Sequence, residues 1–186
     1  MKFENQIDVM AEKDAVFAFV ADQRNVPKWN YYVMDVRQEG GDGPAVGARY
    51  AQTRKTDRQT TAITEMESGT SLTVETVEGS PVVRRHIEFR PTPGGTRLVD
   101  RWELASGYPR ALELFAVRRI RKAVASNLEK LKKLLEDGVV QLQDGRVVSV
   151  DRKSPYRAVH EVDLSGSGRS PSRARDDASS ALGSVS

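Results

Sequence analysis

The chain has 186 residues, enough for one domain with a real hydrophobic core and some further sequence. It contains no cysteine, which excludes disulfide bonds and cysteine metal sites. Its 29 basic and 26 acidic residues leave a net charge of only +3, a weak indication of any nucleic-acid partner. The N-terminal MKFENQIDV lacks the apolar core of a signal peptide, and no stretch approaches the roughly 20 apolar residues of a membrane span. We therefore expect a cytoplasmic protein.

The sequence of residues 3–29 predicts one strand and two short helical segments. Phe3–Val9 alternates apolar and polar residues, which is typical of a strand with one buried face. Glu12–Ala21 places its apolar residues on one side of a short helix, and a second helix or turn is expected around Asn25–Trp29.

Six further strands are predicted before the next helix. The last two are joined by Thr92-Pro93-Gly94-Gly95, a sequence typical of a hairpin turn. The six predicted strands are Tyr31–Arg37, Gly47–Arg54, Thr60–Glu67, Ser71–Val77, Val82–Arg90 and Thr96–Leu104.

A long amphipathic helix is predicted from Pro109 to Gly138. Its apolar residues recur every three or four positions, and at 1.5 Å per residue it would be about 40 Å long. A helix of that length after a run of strands needs a curved sheet to lie in, and such an arrangement commonly leaves a cavity. The apolar positions are Leu114, Val117, Ile120, Val124, Leu128, Leu131 and Leu135.

The sequence changes character after this helix. Val139–Leu142 and Val147–Val150 flank a turn-like segment and predict a small hairpin. From Ser165 onward almost no large apolar residue occurs, which predicts disorder. We therefore expect a folded domain at residues 1–137, a variable extension at 138–164 and a disordered tail at 165–186.

Several segments resemble the polyketide cyclase/dehydratase group of the START-like (SRPBCC, Bet v 1-like) superfamily. They occur in the family's order and cover roughly residues 3 to 137. The matching segments are Ile7–Val9 (IDV), Val16–Asp22 (VFAFVAD), Asn25–Asn30 (NVPKWN), Gly43–Tyr50 (GPAVGARY), Phe89–Pro91 (FRP), Gly94–Leu98 (GGTRL) and Leu128–Glu136 (LEKLKKLLE).

The resemblance implies an α+β helix-grip fold, in which a seven-stranded antiparallel curved sheet wraps around a long C-terminal helix. Members of this family bind apolar or aromatic small molecules in the intervening cavity, and some catalyse cyclisation, dehydration or hydrolysis. The family has no universal catalytic motif, so the resemblance assigns no catalytic residue. It also implies no cofactor.

The hairpin of the last two strands allows its side-chain pairs to be predicted. If Pro93-Gly94 forms the tip, Phe89 faces Leu98, Ile87 faces Asp100 and Arg85 faces Trp102, with all of them on the inner face. Arg85 and Asp100 are then diagonal neighbours. They would be either a polar anchor for a ligand or a structural ion pair at the end of the sheet.

Other candidate cavity residues follow from strand parity. Tyr50 and Trp102 are expected to form cavity walls, and Gln52 shares the parity of Tyr50 and could donate a hydrogen bond. The parity of Thr60–Glu67 is ambiguous, so Glu65 is an open candidate for an acid in the cavity. The aromatic candidates, which as a class are more often plain core residues, are Trp29, Tyr31, Tyr32, Tyr50, Trp102 and Phe115.

The remaining polar residues predict neither a metal site nor a catalytic triad. His86 shares its parity with charged residues and should face solvent, and His160 has no partner suggestive of a triad. The four cations Arg118, Arg119, Arg121 and Lys122 are expected to cover the helix surface, with a basic patch for phospholipid headgroups or nucleic acid as the minority interpretation.

Three hypotheses follow. The first is a protein, monomeric or homodimeric, that binds an apolar or aromatic, polyketide- or lipid-like molecule. The second is a cyclase or dehydratase that uses Arg85 and Asp100 to polarise its substrate and transfer a proton. The third, which we rank last, is a protein- or nucleic-acid-interaction module that uses the basic helix surface and the tail.

Overall fold

Seven antiparallel strands form one continuous sheet in the order β1-β7-β6-β5-β4-β3-β2. The computed structural model describes residues 1–105 and 110–151. Pro109, His160 and the predicted tail at 165–186 lie outside the described residues. The strands are β1 Lys2–Val9, β2 Val33–Glu39, β3 Arg49–Arg54, β4 Arg58–Glu67, β5 Ser71–Glu78, β6 Val83–Thr92 and β7 Gly95–Leu104.

Three register shifts, in two of the strand pairs, bend this sheet. One lies between Val33 and Asp35 in the β2–β3 pair, and the β4–β5 pair has shifts at Thr60/Thr61 and at Ile63/Glu65. An extra residue on one strand of an antiparallel pair bends that strand and increases its twist. The inner face of the bent sheet packs against the helices, and its outer face is exposed to solvent.

Two helices and a short 3₁₀ turn accompany the sheet. Helix α1 spans Lys13–Ala21 and packs against β6 and β7, and the 3₁₀ turn Gln23–Lys28 follows it directly. Helix α2 spans Arg110–Asp137 and ends at Gly138. Gly138 has φ of 78° and donates its N–H to the carbonyl of Leu134 over 3.0 Å, a left-handed cap for which glycine is best suited. The structure confirms the predicted α+β fold.

One face of helix α2 is buried over its C-terminal half. It packs along β1, and its side chains Val124, Leu128, Leu131 and Leu134 are all at most 8% exposed. Leu114 is 79% exposed, so the prediction that the whole apolar stripe is buried is wrong at its N-terminal end. None of the described helices combines the length and the apolarity needed to cross a membrane.

The chain continues past α2 into a two-stranded hairpin. Strands β8 Val139–Gln141 and β9 Val147–Ser149 pair antiparallel, at the positions where the sequence predicts a hairpin. Val140, Leu142 and Val150 are buried and belong to the same core as the sheet and α2. This part of the predicted extension therefore adds to the main hydrophobic core.

Candidate functional site

The hairpin of β6 and β7 has the predicted side-chain pairing. Thr92 pairs with Gly95, so Pro93 and Gly94 form a two-residue turn. In this register Arg85 lies opposite Trp102, Ile87 opposite Asp100 and Phe89 opposite Leu98. Directly paired residues of antiparallel strands share a face, so this set lies together on the inner face of the sheet.

Arg85 and Asp100 form a buried ion pair on this face. The guanidinium Nε and Nη2 donate to the two carboxylate oxygens over 2.8 and 3.0 Å. Asp100 is fully buried, and the Arg85 side chain is only 9% exposed. Burying two charges carries a large desolvation cost that the two-fold hydrogen bonding offsets only in part, so such a pair marks a polar point within an apolar interior.

Two tryptophan rings flank the Arg85 guanidinium. Its central carbon lies 5.2 Å from the ring centroid of Trp29 and 5.1 Å from that of Trp102, within the range of cation–π attraction. Trp102 also stacks on Phe3 of the neighbouring strand, with centroids 6.0 Å apart. Trp29 directly follows the 3₁₀ turn and is 3% exposed. We call Arg85, Asp100, Trp29 and Trp102 the arginine site.

Both indole N–H groups of the arginine site lack a hydrogen-bond partner in the part of the chain that the structure describes. Trp29 Nε1 and Trp102 Nε1 are buried and make no hydrogen bond to any described residue, and the same holds for the hydroxyl of Tyr50. A buried donor without a partner costs about 1–3 kcal/mol, so native proteins contain few of them. The two indole donors flank the same guanidinium, so a single hydrogen-bond acceptor beside Arg85 would be close to both.

Tyr50 lies on the same inner face, but three strand spacings from Arg85. That separation is about 14 Å across the sheet. Tyr50 is fully buried, and burial raises the pKa of its hydroxyl to about 12, with a further contribution from the negative charge of Asp22. Tyr50 is therefore a neutral donor at physiological pH.

Gln52 and Ile87, two further candidate cavity residues, are both buried but have different contacts. Gln52 donates from Nε2 to Thr61 Oγ1 over 3.0 Å, and its Oε1 accepts from Gln59 over 3.3 Å. Its side-chain amide is thus hydrogen-bonded to residues of one neighbouring strand, β4. Ile87 is fully buried in the hydrophobic core and supplies apolar surface beside Asp100.

Glu65 lies on the outer face, so the open question of its orientation is resolved against a cavity acid. Its carboxylate accepts hydrogen bonds from Thr73 Oγ1 at 2.8 Å and from Arg84, and the Thr73 bond is the main reason that its pKa is lowered. The register shift between Ile63 and Glu65 explains the ambiguous alternation. Ile63 and Met66 both pack inward across this bulge, which leaves Glu65 outside.

Phe115 does not line the interior. It is 77% exposed, so its selection as a candidate cavity residue is wrong. His86 lies on the outer face as predicted, where its Nδ1 is 2.9 Å from Thr73 Oγ1 and its Nε2 is 3.7 Å from a Glu88 oxygen.

Two surface clefts lie away from the arginine site. The larger, of about 440 Å³, runs over β2, β3 and β4 and includes Arg37, Ala51 and Thr60. The other, of about 280 Å³, lies at the end of β6 and β7 beside Lys2 and Glu103. Neither cleft is lined by a residue of α2, so neither corresponds to the cavity predicted between the sheet and the C-terminal helix.

The chemistry available at the arginine site is hydrogen bonding and electrostatic attraction. Both oxygens of Asp100 already accept from Arg85, so the carboxylate is held in place as a counter-charge. The indole N–H groups can donate to an acceptor, and the rings provide flat apolar surface. Within residues 1–105 and 110–151, no three His, Asp or Glu side chains come together as metal ligands.

A family model identifies the chain. Residues 1–136 match the family described as polyketide cyclase / dehydrase and lipid transport, and the chain therefore belongs to that family. No curated protein matches the sequence.

Solved structures share the fold at low sequence identity. The protein TTHA0849 from Thermus thermophilus has a TM-score of 0.59 at 15% identity, over 72% of this chain and 95% of that one. The Aha1 dimer from Colwellia psychrerythraea has a TM-score of 0.55 at 14% identity, over 73% and 96%. The di-domain ARO/CYC StfQ of the steffimycin biosynthetic pathway has a TM-score of 0.57 at 17% identity, over 70% and 49%. The seven-stranded sheet and C-terminal helix are thus a helix-grip fold.

Proposed function

We propose that the protein binds an apolar or aromatic small molecule that carries a hydrogen-bond acceptor, against the inner face of the sheet at the arginine site. The observation that carries this proposal is the pair of buried indole N–H groups, on Trp29 and Trp102, that have no hydrogen-bond partner among the described residues. A carbonyl or phenol oxygen would satisfy them and would also benefit from the adjacent guanidinium.

The surroundings of the arginine site favour a ligand that is otherwise apolar. Arg85 lies opposite Val74 on β5, and the next pair of these strands on the inner face is Leu72 with Ile87. These aliphatic residues and the two indole rings suit flat, ring-containing molecules. The family description agrees with such a ligand, and one structural neighbour, StfQ, belongs to the steffimycin biosynthetic pathway.

Binding is better supported than catalysis. Proton transfer by Asp100 would require the carboxylate to leave two hydrogen bonds inside a buried pair. A general base also needs direct access to the proton it removes. A cyclase or dehydratase is therefore the alternative hypothesis, and Arg85 would polarise a substrate carbonyl in it.

Intrinsic fluorescence offers a direct test because the chain has two tryptophans and both flank Arg85. Anthraquinone and anthracene are suitable probes, since they share a ring frame but only the first carries carbonyl acceptors. We expect anthraquinone to quench the fluorescence and to bind about five- to tenfold more tightly, the equivalent of one or two hydrogen bonds.

Variants then locate the interaction. Trp29→Phe and Trp102→Phe keep an aromatic ring but remove the N–H, so calorimetry should show a smaller preference for anthraquinone over anthracene. Tyr32→Phe is a matched control, because its hydroxyl contacts Thr56 at the surface. Failure of both probes to bind, or equal binding of the two by the wild-type protein, would contradict the proposal.

A further inference from the structure

The first half of α2 exposes two large apolar side chains. Leu114 and Phe115 are 79% and 77% exposed, which is unusual for adjacent residues of this size in a helix. Further along, Val124 and Leu128 are buried against the sheet. The apolar surface at the start of the helix therefore lacks a partner among the described residues.

Four cations share this exposed surface. Leu114, Arg118 and Lys122 follow one another at intervals of four residues, and Phe115 and Arg119 form a second such row beside them. Arg121 is exposed as well. No acidic residue occurs between positions 114 and 128, and within the described part of the chain none of these cations forms an ion pair. We call these six residues the helix patch.

We propose that the helix patch docks on an anionic lipid surface. The four cations, which have no ion-pair partner among the described residues, complement negatively charged headgroups, and Leu114 and Phe115 can enter the boundary between headgroups and acyl chains. A nucleic acid would satisfy the cations but would leave Leu114 without a suitable contact. The combination of charge and exposed aliphatic surface therefore favours lipid.

Vesicle co-sedimentation of the full chain tests the proposal. Wild-type protein should bind vesicles with 30% phosphatidylglycerol in phosphatidylcholine and should bind pure phosphatidylcholine far more weakly. Removing the four charges should weaken binding to the anionic vesicles by about 100-fold or more. This charge variant carries Arg118→Gln, Arg119→Gln, Arg121→Gln and Lys122→Gln.

The apolar contribution is tested by Leu114→Ala combined with Phe115→Ala. Alanine preserves the helix, so a loss of about tenfold or more in binding would come from the missing side chains. Met10→Ala with Val46→Ala is the matched control, since both residues are exposed elsewhere on the surface.

A second control separates the location of the charges from their number. Four exposed cations outside the helix patch are replaced with the same change in net charge: Arg37→Gln, Arg58→Gln, Arg90→Gln and Lys133→Gln. This control should retain most of the binding.

Three outcomes would overturn the proposal. The first is that the wild-type protein does not bind anionic vesicles. The second is that the two charge variants lose vesicle binding equally. The third is that the protein binds an RNA oligonucleotide tightly while its vesicle binding is insensitive to the alanine substitutions. Trp29→Phe and Trp102→Phe should leave vesicle binding unchanged, which separates this surface from the arginine site.

Discussion

Arg85 donates two hydrogen bonds to Asp100 across the inner face of the β6–β7 hairpin, in a position that is largely closed to water. The same two-fold geometry occurs between Arg97 and Asp8, but both of those side chains are about half exposed. The two pairs differ in burial and hardly at all in hydrogen bonding. They allow the effect of burial on an ion pair to be measured within one protein.

Asp100→Ala is expected to lower the free energy of unfolding by about 3–5 kcal/mol, because it leaves Arg85 buried without a counter-charge. The double variant Arg85→Met/Asp100→Leu should cost much less, since it removes both charges and retains side-chain volume. Urea unfolding followed by tryptophan fluorescence measures both. A double variant as unstable as Asp100→Ala would contradict this explanation.

Asp8→Ala is the matched control for Asp100→Ala. It breaks the corresponding surface pair, and water can solvate the remaining Arg97. Its loss of stability should be far smaller and should shrink further at high salt, whereas the effect of Asp100→Ala should hardly respond to salt.

The register of the β6–β7 hairpin, which places Arg85, Asp100 and Trp102, could be predicted because a two-residue turn fixes it. Once Pro93-Gly94 is placed at the tip, each pair from Thr92 and Gly95 to Arg85 and Trp102 follows by counting. The alternation of the two strands then assigns Arg85 and Asp100 to the apolar face. Local rules are sufficient here because no bulge interrupts this hairpin.

The rest of the candidate site depends on features that periodicity does not encode. The bulge at Ile63/Glu65 reverses the alternation of β4, so the orientation of Glu65 is not predictable from parity. The apolar period of α2 continues through Leu114, although only its C-terminal half is buried. Trp29 reaches Arg85 because of the path of the 3₁₀ turn, and the sequence signals of that turn say nothing about its position over the sheet.

Tyr50→Phe is expected to stabilise the protein without ligand. The Tyr50 hydroxyl is buried and has no hydrogen-bond partner within residues 1–105 and 114–151, so its removal should eliminate a desolvation cost and raise the free energy of unfolding by about 1 kcal/mol. Urea unfolding at neutral pH checks this. Destabilisation by the substitution would indicate that the hydroxyl has a partner in solution.

The same substitution should change the response to alkaline pH. The pKa of Tyr50 is raised to about 12 in the folded protein, against about 10 in the unfolded chain. Between these values the unfolded state loses a proton that the folded state retains, so stability falls as pH rises. From about pH 9 to about pH 11.5 the wild-type protein should lose about 2 kcal/mol more than Tyr50→Phe. Parallel losses in the two proteins would contradict the shift.

Gly95→Ala is expected to destabilise the fold severely. A Cβ atom at this position would lie 2.1 Å from the carbonyl oxygen of Val9, so β1 and β7 would have to separate at that point. We expect a loss of about 3 kcal/mol or more, since the clash is with the backbone. At the neighbouring Gly94 a Cβ atom would have open space around it, with nothing within 4 Å. Gly94→Ala should therefore change the free energy of unfolding by about 0.5 kcal/mol or less. Thermal unfolding distinguishes the two.

The β8–β9 hairpin lies beyond the residues that match the family model, yet its apolar side chains are part of the core. Leu142 is 3% exposed, and Leu142→Ala should cost about 2–5 kcal/mol because it leaves a cavity among packed residues. Val139 in the same hairpin is 48% exposed, so Val139→Ala should cost about 0.5 kcal/mol or less. A single unfolding transition with a lowered midpoint for Leu142→Ala is expected, because the hairpin and the sheet bury one continuous core. If Leu142→Ala were as stable as Val139→Ala, the hairpin would not be a structural part of this domain in solution.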